Sequence, residues 1–328
     1  MKGTPVGILG TGMYVPERIL TNQDLENMVE TTDEWIVTRT GIRERRLASP
    51  EQATSDLALF AAEEALRNAG LTAEDVDLII VATITPDMAF PSTACVLQER
   101  LGAKRAAAFD LSAACSGFIY ALANATGLIA TGMYKHVLVV GAECLSKITD
   151  YKDRNTCILF GDGAGAVVLG PVPEGRGFRS FVLGADGSGG ELLNLYAGGS
   201  RCPLSQEALD QRLHYIRMAG KEVFKFAVKV MGSAAEEALR KANLDKSDVD
   251  LLIPHQANIR IIQSALERLE LPEEKCMINL HKYGNVSAGS IPIALAEAVR
   301  ENRIKEGDCV VFVGFGGGLT WGASVLIW

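Results

Sequence analysis

Two copies of one α/β unit account for this 328-residue chain, on the strength of three features. Residues 61–80, AAEEALRNAGLTAEDVDLII, align without a gap on residues 234–253, AAEEALRKANLDKSDVDLLI, with 14 of 20 positions identical. The same offset of 173 residues lays SAACSGFIYALANA on NVSAGSIPIALAEA and the apolar VLVVGAE (137–143) on VVFVGFG (310–316). Apolar strand-like runs also alternate with segments whose apolar residues recur at helical spacing, the pattern of sheets covered by helices.

In each half the first recognisable element is a helix, with Ala62, Ala65, Leu66 and Ala69 on one face and Ala235, Ala238, Leu239 and Ala242 on its counterpart. A charged turn and an apolar strand follow, then a second strand-helix-strand unit. Such alternation predicts mostly parallel sheets covered on both faces, joined by right-handed crossovers. The joint falls in GPVPEGRGF (170–178), the richest Pro and Gly stretch, so the halves are taken as 1–172 and 173–328. Residues 111–134 carry no charge over a length that, at ~20 residues, matches a bilayer span. The run contains Ser, Asn, Thr and three Gly, and the apolar VLVV follows after only Lys135 and His136. A helix buried on all sides is therefore expected, packed against its mate from the other half between two sheets.

Composition narrows the function. The net charge of −8 repels nucleic acid and anionic membranes, so any anionic ligand needs a local basic patch. Seven cysteines without a CxxC spacing and a start without a signal-peptide apolar stretch predict a reduced, cytoplasmic protein. Four histidines outside any HxxxH or HExxH arrangement predict no metal. GILGTGMYVP lacks the third Gly of a dinucleotide fingerprint and runs into Pro16, FGDGAGAVVLG leads into a strand, and there is no GxxxxGK[ST].

Chemistry shows where the copies differ. Cys115, His255 and Asn285 have Ala288, Ala82 and Ser112 as their mates, so each half supplies groups the other lacks, and an interface site could use all three. Cys115 sits between the apolar AAAFDLSAA and the helix starting SGFIYAL, where unpaired helix N–H groups would favour a thiolate. It reads equally well as a small buried hydrophobe. His255 follows a buried strand and Pro254, a strand end of the kind that borders ligand sites; the alternative is a hydrogen-bonded structural histidine. Asn285 could donate to a carbonyl oxygen as negative charge develops on it, or cap a turn. FGGGLTWG (315–322) offers backbone amides that no side chain blocks, whether as a turn between the last two strands or as an oxyanion hole. Cys309 reads as a strand residue.

ACSGF around Cys115, PHQAN around His255, GNVSAGS around Asn285 and the final FGGGLTWG together resemble the β-ketoacyl-acyl carrier protein synthase III family of thiolase-like condensing enzymes. TNQDLENMVETTDEWIVTRTGIRERR (21–46), AFPSTACVLQ and FGDGAGA extend the resemblance over essentially the whole chain. It implies a five-layered αβαβα thiolase-like fold, a homodimer, and initiation of type II fatty acid synthesis. A short acyl-CoA primer would acylate Cys115; malonyl-acyl carrier protein would then lose carbon dioxide with His255 and Asn285 on its thioester oxygen, and its carbon would attack the acyl group. No cofactor is implied, coenzyme A thioester being a substrate. The amides of Cys115 and Gly317 would form the oxyanion hole.

The resemblance also assigns Trp35, Arg39, Arg154, Phe224 and Asn258 to coenzyme A, and Phe90 to closing the acyl pocket of a partner subunit. Lys225, Arg260 and Arg268 would dock the acidic carrier protein. Glu267 stands where a basic residue is expected and Lys221 where an Asn is expected, departures that bear on docking and on the pantetheine arm. Two other readings compete. A degradative thiolase needs a second cysteine near the final glycine loop, and a silent carrier-binding homologue would be expected to lack the nucleophile.

Overall fold

In the computed structural model, which describes residues 3–328, each half contributes one main sheet. The first contains β1 (Val6–Tyr14), β2 (Leu78–Ala82), β3 (Ala107–Leu111), β4 (Val137–Cys144) and β5 (Asp162–Pro171), in spatial order β1-β5-β4-β2-β3. The second contains β6 (Gly177–Ala185), β7 (Leu251–Pro254), β8 (Cys309–Gly316) and β9 (Thr320–Ile327), in order β7-β8-β9-β6. The chain passes from β5 to β6 through residues 172–176.

Sheet direction departs from expectation. β2 is parallel to β3 and β4, and β7 to β8, but β1–β5, β4–β5, β8–β9 and β9–β6 are antiparallel, so both sheets are mixed. Buried apolar runs look alike in either direction. Residues 317–319 are too short for a crossover helix, which forces β8 and β9 into an antiparallel pair.

Helices complete five layers. α1 (Thr54–Ala69) covers the outer face of the first sheet, α2 (Gly117–Ala130) lies between the sheets, and α3 (Gly220–Ala242) with α4 (Ile259–Leu269) covers the outer face of the second. α5 (Ser290–Arg300) joins α2 in the central layer, where Phe118, Ile119, Leu122, Ile291 and Leu295 pack with Ile80, Val139 and Phe312 from the two sheets. Each such side chain contributes about 1.5–3 kcal/mol on burial. α1 starts where the Asp56 carboxylate accepts the Ala53 N–H at 2.6 Å and stops at Gly70, φ 67°. α3 stops at the equivalent repeat position, Asn243, φ 56°. The repeat thus keeps a left-handed cap while changing its residue, Asn being the side chain that best tolerates that conformation after Gly.

α2 is not buried on all sides. Asn124 and Gly127 are exposed and Tyr120 is half-buried, a narrow stripe at helical spacing, because a helix between two sheets still has a side that faces neither. Among the described residues no helix is long and apolar enough to cross a membrane.

Candidate active site

The two central helices begin in the same way. Short 3₁₀ turns, Ala114–Ser116 and Ser287–Gly289, precede α2 and α5, and the repeat-equivalent residues Ala114 and Ser287 both take positive φ, 47° and 46°. The two turns pack against each other, the first also meeting the end of β8 and the second the end of β4. On β8, Gly316 is indispensable: a Cβ on it would lie 2.5 Å from the Cys115 nitrogen. Gly316→Ala is expected to displace the Cys115 turn and slow acylation about 100-fold, the usual cost of a misplaced reacting group. Acylation within twofold of the unsubstituted chain would show that this approach does not position the sulfur.

Cys115, His255 and Asn285 line one cavity of about 90 Å³, together with Phe224, Asn258 and Phe315. Cys115 is 7% exposed, and burial pushes its thiol up to about 12. This corrects the thiolate inferred from the helix start: the apolar wall around the sulfur outweighs the helix end, and the resting group is a thiol.

His255 follows β7, its N–H donating to the Val313 carbonyl at 2.8 Å, and the ring meets Phe315 edge-on at 5.6 Å between centroids. Burial lowers its pKa to about 3, so it is neutral. Its Nδ1 is 2.7 Å from Ser290 Oγ, which also accepts the Gln256 N–H at 3.4 Å. With the ring proton on Nε2, the Ser290 hydroxyl donates to Nδ1 while accepting from Gln256, an arrangement that satisfies both groups and is the assignment we make. Asn285 is held by its backbone to Leu159 and Gly161, and its Oδ1 accepts the Ser287 N–H at 2.8 Å. That bond identifies the oxygen and leaves the NH2 as a donor. The site therefore combines a thiol, a neutral imidazole with its proton on Nε2, and an amide donor.

The cavity is the neck of a longer channel. Inward, it shares Cys115, Phe160 and Leu193 with a largely apolar chamber of about 340 Å³ that Ile84, Ser287 and Gly317 also line. Outward, it shares Met218, Phe224 and Asn258 with an open mouth of about 800 Å³. Trp35, Arg39, Lys221, Lys225 and Arg260 line that mouth. Arg39 and Arg154 each stack on the Trp35 ring at 4.8 Å, and Arg260 stacks on Phe224 at 5.2 Å. The basic patch that an acidic chain needs for an anionic ligand is here.

Other assigned residues are placed less simply. Asn258 caps α4 and donates to the Arg39 carbonyl at 2.9 Å, so it shapes the mouth with one amide N–H to spare. Arg268 is paired with Glu236 at 2.7 Å, so much of its charge is already answered. Glu267 is exposed on the same helix, and Phe90 is 85% exposed, away from the channel of its own chain. Cys309 opens β8, at the opposite end of that strand from the glycine turn, where it cannot serve as a second thiol beside Cys115.

Sequence reasoning passed over Ser290, Ser287 and Glu143. Ser287 is the one with a signal, since its mate is Ala114 and it lies in GNVSAGS.

Comparison with known proteins follows the same lines. Family models described as 3-oxoacyl-[acyl-carrier-protein] synthase III match residues 109–187, and their C-terminal counterpart matches 239–328. A β-ketoacyl-[acyl-carrier-protein] synthase III of Caldanaerobacter subterraneus subsp. tengcongensis is 62% identical, covering 98% of this chain and 97% of that protein. One from Symbiobacterium thermophilum is 60% identical, covering 100% and 99%. The crystal structure of the Aquifex aeolicus 3-oxoacyl-[acyl-carrier-protein] synthase III superposes with a TM-score of 0.91 at 50% identity, covering 98% and 100%. The enzyme from Thermus thermophilus gives 0.92 at 54% identity, covering 98% and 99%.

Proposed function

The chain belongs to the 3-oxoacyl-[acyl-carrier-protein] synthase III family, and from that membership we propose how its own residues perform the family's decarboxylative condensation. It is an acyltransferase that joins a short acyl-CoA primer to malonyl-acyl carrier protein, giving the 3-ketoacyl-carrier protein that starts type II fatty acid synthesis. The supporting observation is the meeting of a buried thiol with two neutral hydrogen-bond donors in the neck of a channel.

Acyl-CoA enters at the mouth, its nucleotide near Trp35, Arg39 and Arg154 and its pantetheine arm past Phe224 and Asn258. Cys115 Sγ attacks the thioester carbon, a carbon–sulfur bond to coenzyme A breaks, and the acyl group is left on the enzyme with its chain in the inner chamber. The amides of Cys115 and Gly317 hold the oxyanion, each such donor contributing about 3 kcal/mol. Malonyl-carrier protein then takes the vacated arm. His255 Nε2–H and Asn285 Nδ2–H donate to its thioester oxygen as carbon dioxide leaves, and the enolate carbon attacks the acyl-Cys115 carbonyl. A neutral histidine suits this work, because it stabilises the enolate without protonating the carbon that must attack.

Two further elements belong to this reading. A homodimer would cover the free edge of β3, where Phe109 is 39% exposed, and would carry Phe90 to the partner's acyl chamber. The carrier protein would dock on Lys225 and Arg260, with Arg268 contributing less, in the cytoplasm. Arg260→Glu is expected to raise the KM for malonyl-carrier protein about tenfold with little change for acyl-CoA, and an equal effect on both would remove Arg260 from the docking surface. Labelled acetyl-CoA tests the whole scheme. Label should appear on Cys115, and carbon dioxide should then be released from malonyl-carrier protein. No label supports a silent homologue, and label without decarboxylation supports a thiolase.

A further inference from the structure

A buried carboxylate that the condensation does not use stands behind the nucleophile. Glu143, near the end of β4, is fully buried and forms no ion pair among the described residues. Its oxygens accept from the 83–85 turn: the Ile84 N–H at 3.2 Å, Thr83 Oγ1 at 3.2 Å and Thr85 Oγ1 at 2.5 Å. A buried carboxylate without a cation is costly, and an amide or hydroxyl would tie this turn as well. The 287–289 turn packs against both β4 and the turn that carries Cys115, and Ser287 lines the inner chamber together with Cys115. The Ser287 hydroxyl is buried and completes no hydrogen bond of its own.

We propose that Ser287 and Glu143 form a proton relay for Cys115, a reading that rests on Cys115 being the nucleophile. As the sulfur bonds to the acyl carbon, its proton passes to Ser287 Oγ, whose own proton passes to Glu143. The carbon–sulfur bond to coenzyme A breaks, and the departing thiolate takes a proton from water. Glu143 keeps the stored proton through the lifetime of the acyl-enzyme. When the enolate carbon displaces Cys115 from the acyl group, the proton returns along the same path and the thiol is restored. One proton is consumed overall, from water, as decarboxylation with release of coenzyme A thiol requires.

The alternative acceptor is poorly suited. His255 has its Nδ1 engaged by Ser290 and a pKa of about 3, whereas burial raises Glu143 to about 7, near the optimum for a base at neutral pH. The titratable groups facing Glu143 are Cys115, across Ser287, and Cys144, its neighbour on β4. The carboxylate must be ionised to accept, so acyl transfer should slow as pH falls through about 7.

Two variants test the relay. Glu143→Gln keeps an oxygen for the Ile84 N–H. Ser287→Ala leaves every bond of Glu143 to the 83–85 turn in place and copies Ala114, which already holds φ 47° in the other half. Single-turnover acylation by labelled acetyl-CoA is followed from pH 5.5 to 8.5, with decarboxylation by pre-acylated enzyme as the second readout. Both variants should acylate at least about tenfold more slowly at pH 8 and lose the acid limb of the profile, with decarboxylation within threefold of the unsubstituted enzyme. Either variant acylating at the normal rate with the normal pH profile overturns the relay, as does parallel loss of both half-reactions with the acid limb intact. Failure of the unsubstituted chain to acylate Cys115 would instead overturn the parent assignment.

Discussion

Cys115→Ser is expected to lower acyl transfer about 1000-fold or more while leaving the fold intact. The substitution exchanges one small buried atom for another at a position that is 7% exposed, so little volume is lost and the turn before α2 keeps its hydrogen bonds. What disappears is nucleophilicity. Even the thiol needs help here, since burial holds it up to about 12, and an alcohol in the same wall is a far weaker acid and a poorer nucleophile. A loss of that size is about 4 kcal/mol of transition-state stabilisation. Mass spectrometry of the enzyme after exposure to acyl-CoA should find no stable adduct, with thermal unfolding close to that of the parent. Normal turnover would remove Cys115 from the mechanism.

The second large effect belongs to the donors. His255→Ala and Asn285→Ala should each slow decarboxylation of malonyl-carrier protein about 100- to 1000-fold, the range for losing one oxyanion donor, and leave acylation of Cys115 far less affected. Both substitutions also take a partner from a buried donor, the Ser290 hydroxyl hydrogen in one case and the Ser287 N–H in the other, which costs about 1–3 kcal/mol of stability. Asn285→Asp separates the two consequences. A carboxylate still accepts from Ser287 but offers no N–H, so decarboxylation should fall as in the Ala variant while stability at neutral pH is better kept. With His255 neutral above about 3, the imidazole itself should impose no pH dependence on decarboxylation between pH 5 and 8. Equal loss of both half-reactions in these variants would contradict the division of labour.

Much of the site was legible because the chain is duplicated. A repeat exposes what folding alone tolerates in both copies, so Cys115, His255 and Asn285 stand out against Ala288, Ala82 and Ser112 before any coordinates are considered. Ser290 gives no such contrast, because its mate Gly117 reads as one more small residue at a helix start, and nothing local says that its hydroxyl meets an imidazole on another element. Glu143 is equally silent: in VLVVGAECL it passes for the solvent-facing end of a strand, and only its enclosure by the 83–85 turn and Ser287 makes it chemically unusual.

The amino-acid order alone gave the two-fold repeat, most of the helices and strands within it, and the nomination of Cys115, His255 and Asn285 as the candidate set. Each of these rests on periodicity or on residue type, which are properties of a short stretch of chain. Tertiary structure decided the rest: the antiparallel partners in both sheets, the exposed stripe on α2, the ion pair that occupies Arg268, and the protonation states of Cys115, His255 and Glu143. Strand direction depends on how the connections close, and the charge on a buried group depends on which distant segments exclude water from it, so neither is written in any local run of residues.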